Sequence, residues 1–466
     1  MPRAGWVKPQ TDQRLSDHVA LGVLTATFPP SLVDAVLADT GRAEQRSRLL
    51  PARLMVYYVM GLALFSDASY EEVMRNLVEG LSWESGWARS WSVPSKSAIF
   101  QARARLGVAP LQVLFERGCV PLATPATPGA FYRGWRLVAI DGTTLDVADT
   151  PANDVAFGRP GASRGSSAFP QVRVVGVAEC GTHAITGVAL GAYSDAEQVL
   201  TRGLLGHLGP GMLCLADRGF AGFPLFEAAR ATGADLLWRA KSNAVLPVLQ
   251  RHDDGSYRSE IVATPDKRTR ANVLGVRVIE YTVADPGRPD TPERYRLLTT
   301  ILDPQAAPAE ELAALYAQRW EIETVLDELK THQRGPRVVL RSKTPDGVRQ
   351  EVYGYLCTHY AIRALMSLAA EDQDVDPDRI SFTRTLRAAR RSIRAGLGTA
   401  THNLTAALTH TITEIVHELL PARRLRTAAR VVKRKMSNYG VKRPEHRHWP
   451  RPTLTPNDAI HVLVPP

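Results

Sequence analysis

Cysteine is scarce in this sequence and never clustered. The four cysteines lie far apart along 466 residues, and no two of them form a Cys-x-x-Cys pair: Cys119, Cys180, Cys214 and Cys357. A disulfide framework or a thiolate zinc site needs cysteines in close groups, so neither is expected. The cysteine content therefore favours a protein of the reducing cytoplasm.

Long apolar runs are missing as well. Polar residues interrupt the longest apolar stretch before it reaches the roughly 20 residues that cross a bilayer. The opening residues, MPRAGWVKPQTDQRLSD, contain no apolar segment of the signal-peptide type. We therefore expect no membrane partner.

Acidic residues are outnumbered by basic ones. There are 57 Lys and Arg against 47 Asp and Glu, a formal net charge of +10, which favours a polyanionic partner. Residues 423–451 hold eleven Lys or Arg against one Glu. Such a run is more often a solvated tail than a specific reader, but either form would bind phosphates in a salt-dependent way. We assign His446 and His448 to this tail, since their spacing is weak for a zinc site.

Hydrophobic periodicity predicts three regions. Residues 1–130 follow the period of helices, and residues 131–372 change to strands that alternate with helices. Within the second region, short strands and polar turns at about 243–308 indicate a β-rich insertion. Residues 373–466 combine further helices with the basic tail. The expected class is therefore α/β, with a helical N-terminal domain and a basic helical C-terminal region.

The N-terminal region contains two helix starts that can be read directly. Ser69 and Glu72 form a capping-box pattern, and Pro94 with Ser95 opens the short helix KSAIFQARARLG. That helix is basic, with cations at Lys96, Arg103 and Arg105. A helix-turn-helix reader of DNA and a solvated face on a dimerising bundle are about equally compatible with this pattern.

One helical run, Glu310 to Gln333, carries the pattern Tyr-x2-Arg-x3-Glu-x6-Lys. At about 100° per residue, four polar side chains fall on one stripe of this helix: Tyr316, Arg319, Glu323 and Lys330. An ordinary amphipathic helix with i,i+4 charge pairs would look similar, and composition alone favours that interpretation.

Two aspartates precede this run. Asp141 lies in IDGTTLD, within the first predicted strand of the core, and Asp217 ends the fourth strand in LADRGF. The order three strands, helix, strand, helix, strand is that of the ribonuclease-H-like fold, whose crossovers bring such residues to one edge of the sheet. Taken singly, either aspartate could be a turn residue.

Together these motifs resemble the signature of the DDE transposases of the Insertion Sequence 4 family. Asp141 and Asp217 look like the first two catalytic aspartates, and Glu323 looks like the third acid. LPARLMVYYVMGLALFSDASYEEVMRNL, at 50–77, is similar to the family's N-terminal domain, and RVVKRKMSNYGVKRP, at 430–444, resembles its basic tail. The resemblance covers most of the chain, and it implies that residues 1–130 form a DNA-binding domain that recognises the element's ends.

This resemblance implies a ribonuclease-H-like catalytic core that transfers phosphoryl groups with two Mg²⁺ ions, for which Mn²⁺ can substitute. Asp141 would bridge both ions, and Asp217 and Glu323 would each hold one, since Mg²⁺ prefers carboxylate oxygens. Other side chains of the same motifs would bind phosphates beside the cut: Tyr316, Arg319, Lys330 and Arg218. For Arg218, pairing with a nearby acid is equally compatible with the sequence.

Other acids compete with these assignments. Asp146 and Asp149 lie close to Asp141, and Asp327 lies one turn beyond Glu323 near the same stripe. Asp327 is the strongest local rival for the third ligand.

The β-rich insertion departs from the family pattern in one respect. The resemblance implies an insertion that contacts the DNA end, in some members through a tryptophan stacked on a flipped base, yet no tryptophan lies between Trp238 and Trp320. One of three tyrosines could stack on the base instead: Tyr257, Tyr281 or Tyr295. Packing in the core is the commoner role for such residues.

The expected function is that of a bacterial insertion-sequence transposase. It would bind terminal inverted repeats in double-stranded DNA, cleave the element ends and transfer the 3′ ends to target DNA, with a hairpin implied by the family signature. Cutting two ends together needs at least a dimer in the active synaptic complex, and the enzyme would work in the cytoplasm at the nucleoid. The alternatives are a catalytically silent DNA-binding remnant or repressor and a nuclease without strand transfer.

Overall fold

The computed structural model shows helices and strands arranged in two compact units. It describes residues 22–46, 48, 50–82, 93–162, 165–263, 272–283, 294–335, 338–394, 401–421, 431–432, 440–444 and 459–464. The first unit is drawn from Met1–Ala130, Gly142–Leu204 and Ile322–Leu420, and the second from Phe131–Asp141, Leu205–Glu321 and Pro421–Pro466. The division into 1–130, 131–372 and 373–466 stays a prediction, and most of the basic tail lies outside the described residues.

The helices follow the sequence pattern closely. They are α1 (Val23–Thr27), α2 (Pro30–Asp39), α3 (Ala52–Leu64), α4 (Tyr70–Ser82), α5 (Lys96–Leu106), α6 (Ala109–Gly118), α7 (Pro151–Phe157), α8 (Glu197–Arg202), α9 (Phe223–Arg230), α10 (Ala309–Leu315), α11 (Trp320–Asp327), α12 (Pro345–Asp372), α13 (Phe382–Arg394) and α14 (Thr401–Val416). Turns of 3-10 helix lie at Leu205–His207, Tyr316–Arg319 and Pro377–Arg379, and a π-helix at Glu328–Gln333.

The strands alternate with these helices in the predicted order. They are β1 (Phe131–Tyr132), β2 (Trp135–Asp146), β3 (Gly161–Ala162), β4 (Gly165–Ser166), β5 (Gln171–Glu179), β6 (Ile185–Ala192), β7 (Met212–Ala216), β8 (Asp235–Arg239), β9 (Gln250–Arg251), β10 (Tyr257–Val262), β11 (Val273–Val283), β12 (Arg294–Thr299), β13 (Val431–Val432), β14 (Gly440–Val441) and β15 (Ile460–Val462). Along the chain, β2, β5, β6, α8, β7, α9 and β8 reproduce the order of three strands, helix, strand, helix, strand.

The first unit is built around the apolar helix α3. Nearly every residue of α3 is buried, and α12 packs against it so closely that a Cβ on Gly354 would lie 2.8 Å from the Val59 carbonyl oxygen. Thr358 of α12 donates to the Met60 carbonyl at 3.0 Å. The main partners of α12 are α3 and α6, and α12 presents small residues to the α3 surface.

Both predicted helix starts of the N-terminal region are confirmed, but the basic helix is less exposed than expected. The Ser69 hydroxyl accepts from the Glu72 amide at 3.2 Å, and the Ser95 hydroxyl accepts from the Ala98 amide at 3.3 Å. Arg103 of α5 is buried and donates to the side chain of Gln350. In this structure Arg103 therefore holds the first unit together and is not a surface cation.

The second unit contains a mixed sheet. The residues of β2 up to Asp141 pair with β7 in parallel, β7 pairs with β8 in parallel, and β12 joins β8 in antiparallel orientation. β11, β10 and β9 continue from β12, and β15 adds to β11. The insertion is β-rich as predicted, and its strands extend this sheet. Among the described residues, no helix is both long and apolar enough to cross a bilayer.

Candidate active site

Two predicted site residues, Asp141 and Asp217, lie on neighbouring parallel segments of the second unit. The register of β2 and β7 pairs Ile140 with Ala216, so the next residues, Asp141 and Asp217, lie opposite each other. Neighbouring strands are about 4.8 Å apart, which puts two carboxylates at the same sheet edge. This placement follows from the parallel pairing that the order of elements predicted.

The turn after β7 fixes the orientation of Asp217. Its Oδ1 accepts a hydrogen bond from the Gly219 amide at 2.6 Å. A Cβ on Gly219 would lie 2.9 Å from the same oxygen, so a larger residue would push the carboxylate aside. Arg218, between them, is exposed.

The 3-10 turn Tyr316–Arg319 brings a cation and a hydroxyl to the same edge. Arg319 Nη1 lies 3.9 Å from Asp141 Oδ2, and the guanidinium lies 4.9 Å from the ring of Trp320. The buried Tyr316 hydroxyl donates to the Ala216 carbonyl at 3.1 Å, one residue before Asp217. Arg319 therefore lies beside the first aspartate, while Tyr316 holds the strand end that carries the second.

Burial keeps the Tyr316 hydroxyl protonated. Burial raises its pKa most, and although Arg319 lowers the pKa, the nearby carboxylate of Asp217 raises it again. A protonated hydroxyl can donate, which agrees with its bond to the Ala216 carbonyl.

Sequence reasoning missed Arg239. The register of β7 and β8 pairs Ala216 with Trp238, so Arg239 lies beside Asp217 at the same edge. Its guanidinium lies 4.3 Å from the ring of Tyr295, which belongs to the insertion. The sequence did contain a sign of this residue, because Arg239 lies near the end of the third parallel strand, ADLLWRAK. Its stacking partner, Tyr295, could not be inferred, since it lies 56 residues further along the chain.

Glu323 and Lys330 belong to the first unit. Glu323 is half-buried in α11, and Lys330 is exposed in the π-helix. The run is helical as predicted but not one regular α-helix. A 3-10 turn advances about 120° per residue and a π-helix advances less than the 100° of an α-helix, so the predicted single stripe does not hold along its whole length.

The three rival acids have partners inside the first unit. Asp146 Oδ1 accepts from the Gln171 side chain at 2.7 Å, and Asp149 pairs with Arg159 at 2.5 Å. The exposed Asp327 accepts from the Thr331 hydroxyl at 2.7 Å. These contacts give each rival a structural role.

The donor set at the sheet edge suits a hard divalent cation. Asp141, within β2, and Asp217, just after β7, offer carboxylate oxygens, the ligand type that Mg²⁺ and Mn²⁺ prefer. Because the Gly219 amide donates its hydrogen bond to Asp217 Oδ1, Oδ2 is the carboxylate oxygen that the turn does not use. The residues present therefore fit a divalent metal.

Comparison with known proteins gives consistent matches. A family model described as "Insertion element 4 transposase N-terminal" matches residues 18–116, and one described as "Transposase DDE domain" matches residues 133–360. The transposase InsG for insertion sequence element IS4 of Escherichia coli (strain K12) is 30% identical over 423 residues, which cover 88% of this chain and 91% of that protein. The putative transposase InsZ of the same organism is 24% identical over 231 residues, 49% of this chain and 71% of that protein.

Among solved structures, a piggyBac transposase synaptic complex with hairpin DNA aligns with 86% of this chain and 85% of that chain, at 12% identity and a TM-score of 0.43.

Proposed function

The chain belongs to the IS4 family of DDE transposases, metal-dependent enzymes that cleave and transfer DNA, and we propose that Asp141, Asp217 and Glu323 are its catalytic carboxylates. The single observation that carries this proposal is the parallel register that sets Asp141 and Asp217 side by side at one sheet edge of its ribonuclease-H-like core. Glu323 is supported by the spacing of its signature with Arg319, one helical turn earlier.

The family uses divalent metal, and we propose two Mg²⁺ ions held by the three carboxylates, with Mn²⁺ as a substitute. Bound there, the metal would activate the attacking oxygen and stabilise the leaving oxygen of a phosphodiester. Arg319, beside Asp141, would keep the site from accumulating negative charge before DNA arrives.

Phosphates beside the cut would be bound by side chains around the carboxylates. Arg319 and Arg239 lie next to the aspartates, Arg218 is exposed on the following turn, and Lys330 is exposed beyond Glu323. Arginine can bind a phosphate through two parallel hydrogen bonds, and lysine acts as a point charge. For Tyr316 the phosphate contact stays a prediction, because its hydroxyl already donates to Ala216.

The substrate would be the ends of a mobile element in double-stranded DNA. Water would attack the phosphorus at the end, and the bond to the 3′ oxygen would break to leave a 3′-hydroxyl. That hydroxyl would attack either the opposite strand, which forms a hairpin, or the target DNA. Because two ends are cut together, the synaptic complex would contain at least a dimer. The reaction would take place at the nucleoid in the cytoplasm.

A nicking assay on a duplex that carries the element end tests the proposal. With Mg²⁺ or Mn²⁺, Asp141→Asn should lower cleavage by about a thousandfold or more while duplex binding is retained. Asp149→Asn is the matched control, because its carboxylate pairs with Arg159, and it should cut like the wild type.

Three results would contradict parts of the proposal. Cleavage by Asp141→Asn, or its loss in Asp149→Asn, would overturn the assignment of the site. Wild-type protein that binds the ends but never cuts would be a silent remnant or repressor. Cleavage without joined products would show a nuclease that lacks strand transfer.

A further inference from the structure

A buried guanidinium follows the π-helix Glu328–Gln333 in the first unit. Arg334 is 3% exposed, and in the part of the chain that the structure describes neither its Nε nor its Nη1 has a hydrogen-bond partner. Most buried polar atoms in proteins are hydrogen-bonded, so an exception calls for an explanation such as a bound water or ion. Arginine stays protonated in proteins, so this exception also carries a charge.

The acids near Arg334 are bound to other groups. Asp146 Oδ1 accepts from the Gln171 side chain at 2.7 Å, and Glu351 accepts from two backbone amides of the turn before α12 at 3.1 and 3.0 Å. Within the described ranges, neither carboxylate forms an ion pair with Arg334. Because a buried charge is stable only when it is compensated, Arg334 requires a counterion from elsewhere.

Hydrogen bonds bring a second guanidinium close to Arg334. The Gln333 side chain donates to the Tyr355 carbonyl at 3.1 Å, and the Gln333 carbonyl accepts from the Ser66 hydroxyl at 2.9 Å. The same hydroxyl accepts from Arg390 Nη2 at 3.4 Å. Arg334, the residue after Gln333, is therefore tied to α12 and lies close to the Arg390 side chain of α13.

A third guanidinium belongs to the same region. Arg341 Nη1 donates to the Ala68 carbonyl at 2.5 Å, and Arg390 Nε donates to the Leu64 carbonyl at 2.5 Å. Both acceptors are neutral groups at the end of α3 and in the turn after it. These bonds fix the two guanidiniums without neutralising their charge.

The Tyr355 hydroxyl lies where the three charges converge. Burial and Glu351 raise the pKa of Tyr355, whereas three guanidiniums lower it: Arg341, Arg334 and Arg390. All three are therefore close enough to act on the hydroxyl, which is protonated and can donate. We call these four side chains, Arg334, Arg341, Arg390 and Tyr355, the Arg334 site.

We propose that the Arg334 site binds a free tetrahedral oxyanion such as inorganic phosphate or sulfate. The anion would accept from Arg334 and from the Tyr355 hydroxyl, and the other two guanidiniums would supply further positive charge. Arginine suits such ions because several of its N–H groups can donate to one anion. A backbone phosphate of a rigid duplex does not fit, because the Arg334 side chain lies beneath the surface.

A bound anion would join three elements of the first unit. It would hold the turn after the π-helix against α12 and α13, and it would thereby stabilise the end of the signature helix, which carries Lys330. The site needs neither metal nor DNA and is therefore independent of the proposed function.

Isothermal titration calorimetry of the full chain with inorganic phosphate tests this inference. The buffer contains EDTA and no DNA, and sodium chloride holds the ionic strength constant. Arg334→Gln should weaken phosphate binding by at least about tenfold, because hydrogen bonds between charged groups are lost. Tyr355→Phe should weaken it several-fold, and this variant tests the site even where Arg334→Gln does not fold.

Arg387→Gln is the matched control. It removes the same charge from an exposed position of α13, three residues before Arg390, and should bind phosphate like the wild type.

Hydrogen exchange and thermal unfolding report on the same site. Phosphate well above its Kd should slow exchange of the amides in segment 328–335 and raise the Tm of the wild type by about 2–4 °C. Neither change should occur in Arg334→Gln, and chloride at the same ionic strength should produce neither.

Four results would overturn the inference. They are a wild type that does not bind phosphate, an equal phosphate affinity in wild type and both site variants, an equal rise of Tm in wild type and Arg334→Gln, which would show a general salt effect, and a loss of DNA affinity in Arg334→Gln with phosphate binding unchanged. The last result would assign the guanidinium to DNA.

The phosphate assay and the cleavage assay fail separately. Phosphate binding through Arg334 by a protein that never cuts DNA would refute the proposed function alone. Cleavage by a protein without the phosphate effect would refute the Arg334 site alone.

Discussion

Tyr316 acts on the active-site edge through a backbone atom. Its buried hydroxyl donates to the Ala216 carbonyl, and Asp217 is the next residue of that strand. A side chain that holds a strand end sets the position of the carboxylate without touching the substrate, which makes Tyr316 a positioning residue in this structure.

Tyr316→Phe separates that role from the predicted phosphate contact. The loss of one buried hydrogen bond should lower the free energy of unfolding by about 1 kcal/mol and kcat by about tenfold, because Asp217 is held less firmly. The Kd for DNA and its salt dependence should not change. Urea unfolding, single-turnover cleavage and DNA titrations measure these quantities.

The control is Tyr360→Phe in the first unit. Tyr360 makes the same kind of bond, to the Val120 carbonyl at 2.9 Å, so this variant should lose similar stability and retain kcat. A higher Kd with a weaker salt dependence in Tyr316→Phe would instead show that the hydroxyl binds a phosphate.

Single residues were predictable where a local pattern ends in a charged group. Asp141 and Asp217 each follow a buried apolar stretch, and parallel pairing aligns them. Arg239 follows the same rule, but its stacking on Tyr295 depends on the pairing of β8 with β12 across the insertion. Contacts over such separations have no signature in the order of residues.

The signature helix shows the same limit for a whole element. Its existence follows from apolar periodicity, yet the chain passes from a 3-10 turn through α11 into the π-helix Glu328–Gln333. The π-helix begins at Glu328, which is buried and forms an ion pair with Arg363 of α12 and a hydrogen bond of 3.1 Å to His359. Apolar periodicity cannot predict such a local change of helix geometry, because the ion pair found at this point joins segments that are distant in the sequence.

Glu328→Gln should destabilise the first unit strongly. Removing this carboxylate leaves the buried Arg363 guanidinium without its charge partner, which costs about 3–5 kcal/mol. The urea midpoint of the variant measures the loss. Glu371→Gln, an exposed change on α12, is the control and should leave the midpoint unchanged.

The same pair gives a pH dependence with a definite sign. Burial raises the pKa of Glu328, but Arg363 and the neighbouring histidines outweigh it and hold the pKa well below its ordinary value of 4.5. The stabilisation is therefore fully present above about pH 4.5 and is lost as the pH falls through the lowered folded pKa. The difference in the free energy of unfolding between the wild type and Glu328→Gln should become smaller as the pH falls. A difference that stays constant with pH would contradict an ionised pair of Glu328 and Arg363.

At the scale of the molecule, the order of elements was predictable and the pairing of remote segments was not. The insertion reads as separate strands, but β12 pairs with β8 and continues the same sheet. The short strand β15 pairs with β11 although more than 170 residues separate them, and the Leu463 amide donates to the Glu280 carbonyl at 2.7 Å. Periodicity shows that a segment has an apolar face, whereas the choice of partner depends on packing over the whole chain.

The charge distribution of the whole chain gives the last prediction. Eleven of its 57 Lys and Arg lie within residues 423–451, so this segment should supply many of the sequence-independent phosphate contacts. Because each neutralised phosphate contributes about 0.9 to the slope of log Kd against log salt, replacing Lys433, Arg434 and Lys435 by Gln should lower that slope by up to about 3.

The matched control separates local charge from total charge. Replacing Arg202, Arg230 and Arg258 by Gln, all exposed, lowers the formal net charge by the same amount. If the tail binds the DNA backbone, only the first triple variant has a smaller slope of log Kd against log salt, and the decrease is equal for element ends and for unrelated duplexes. Long-range attraction depends on the net charge, whereas counterion release depends on direct phosphate contacts. Equal slopes in both triple variants would therefore show that the total charge attracts DNA and that the tail makes no phosphate contact of its own.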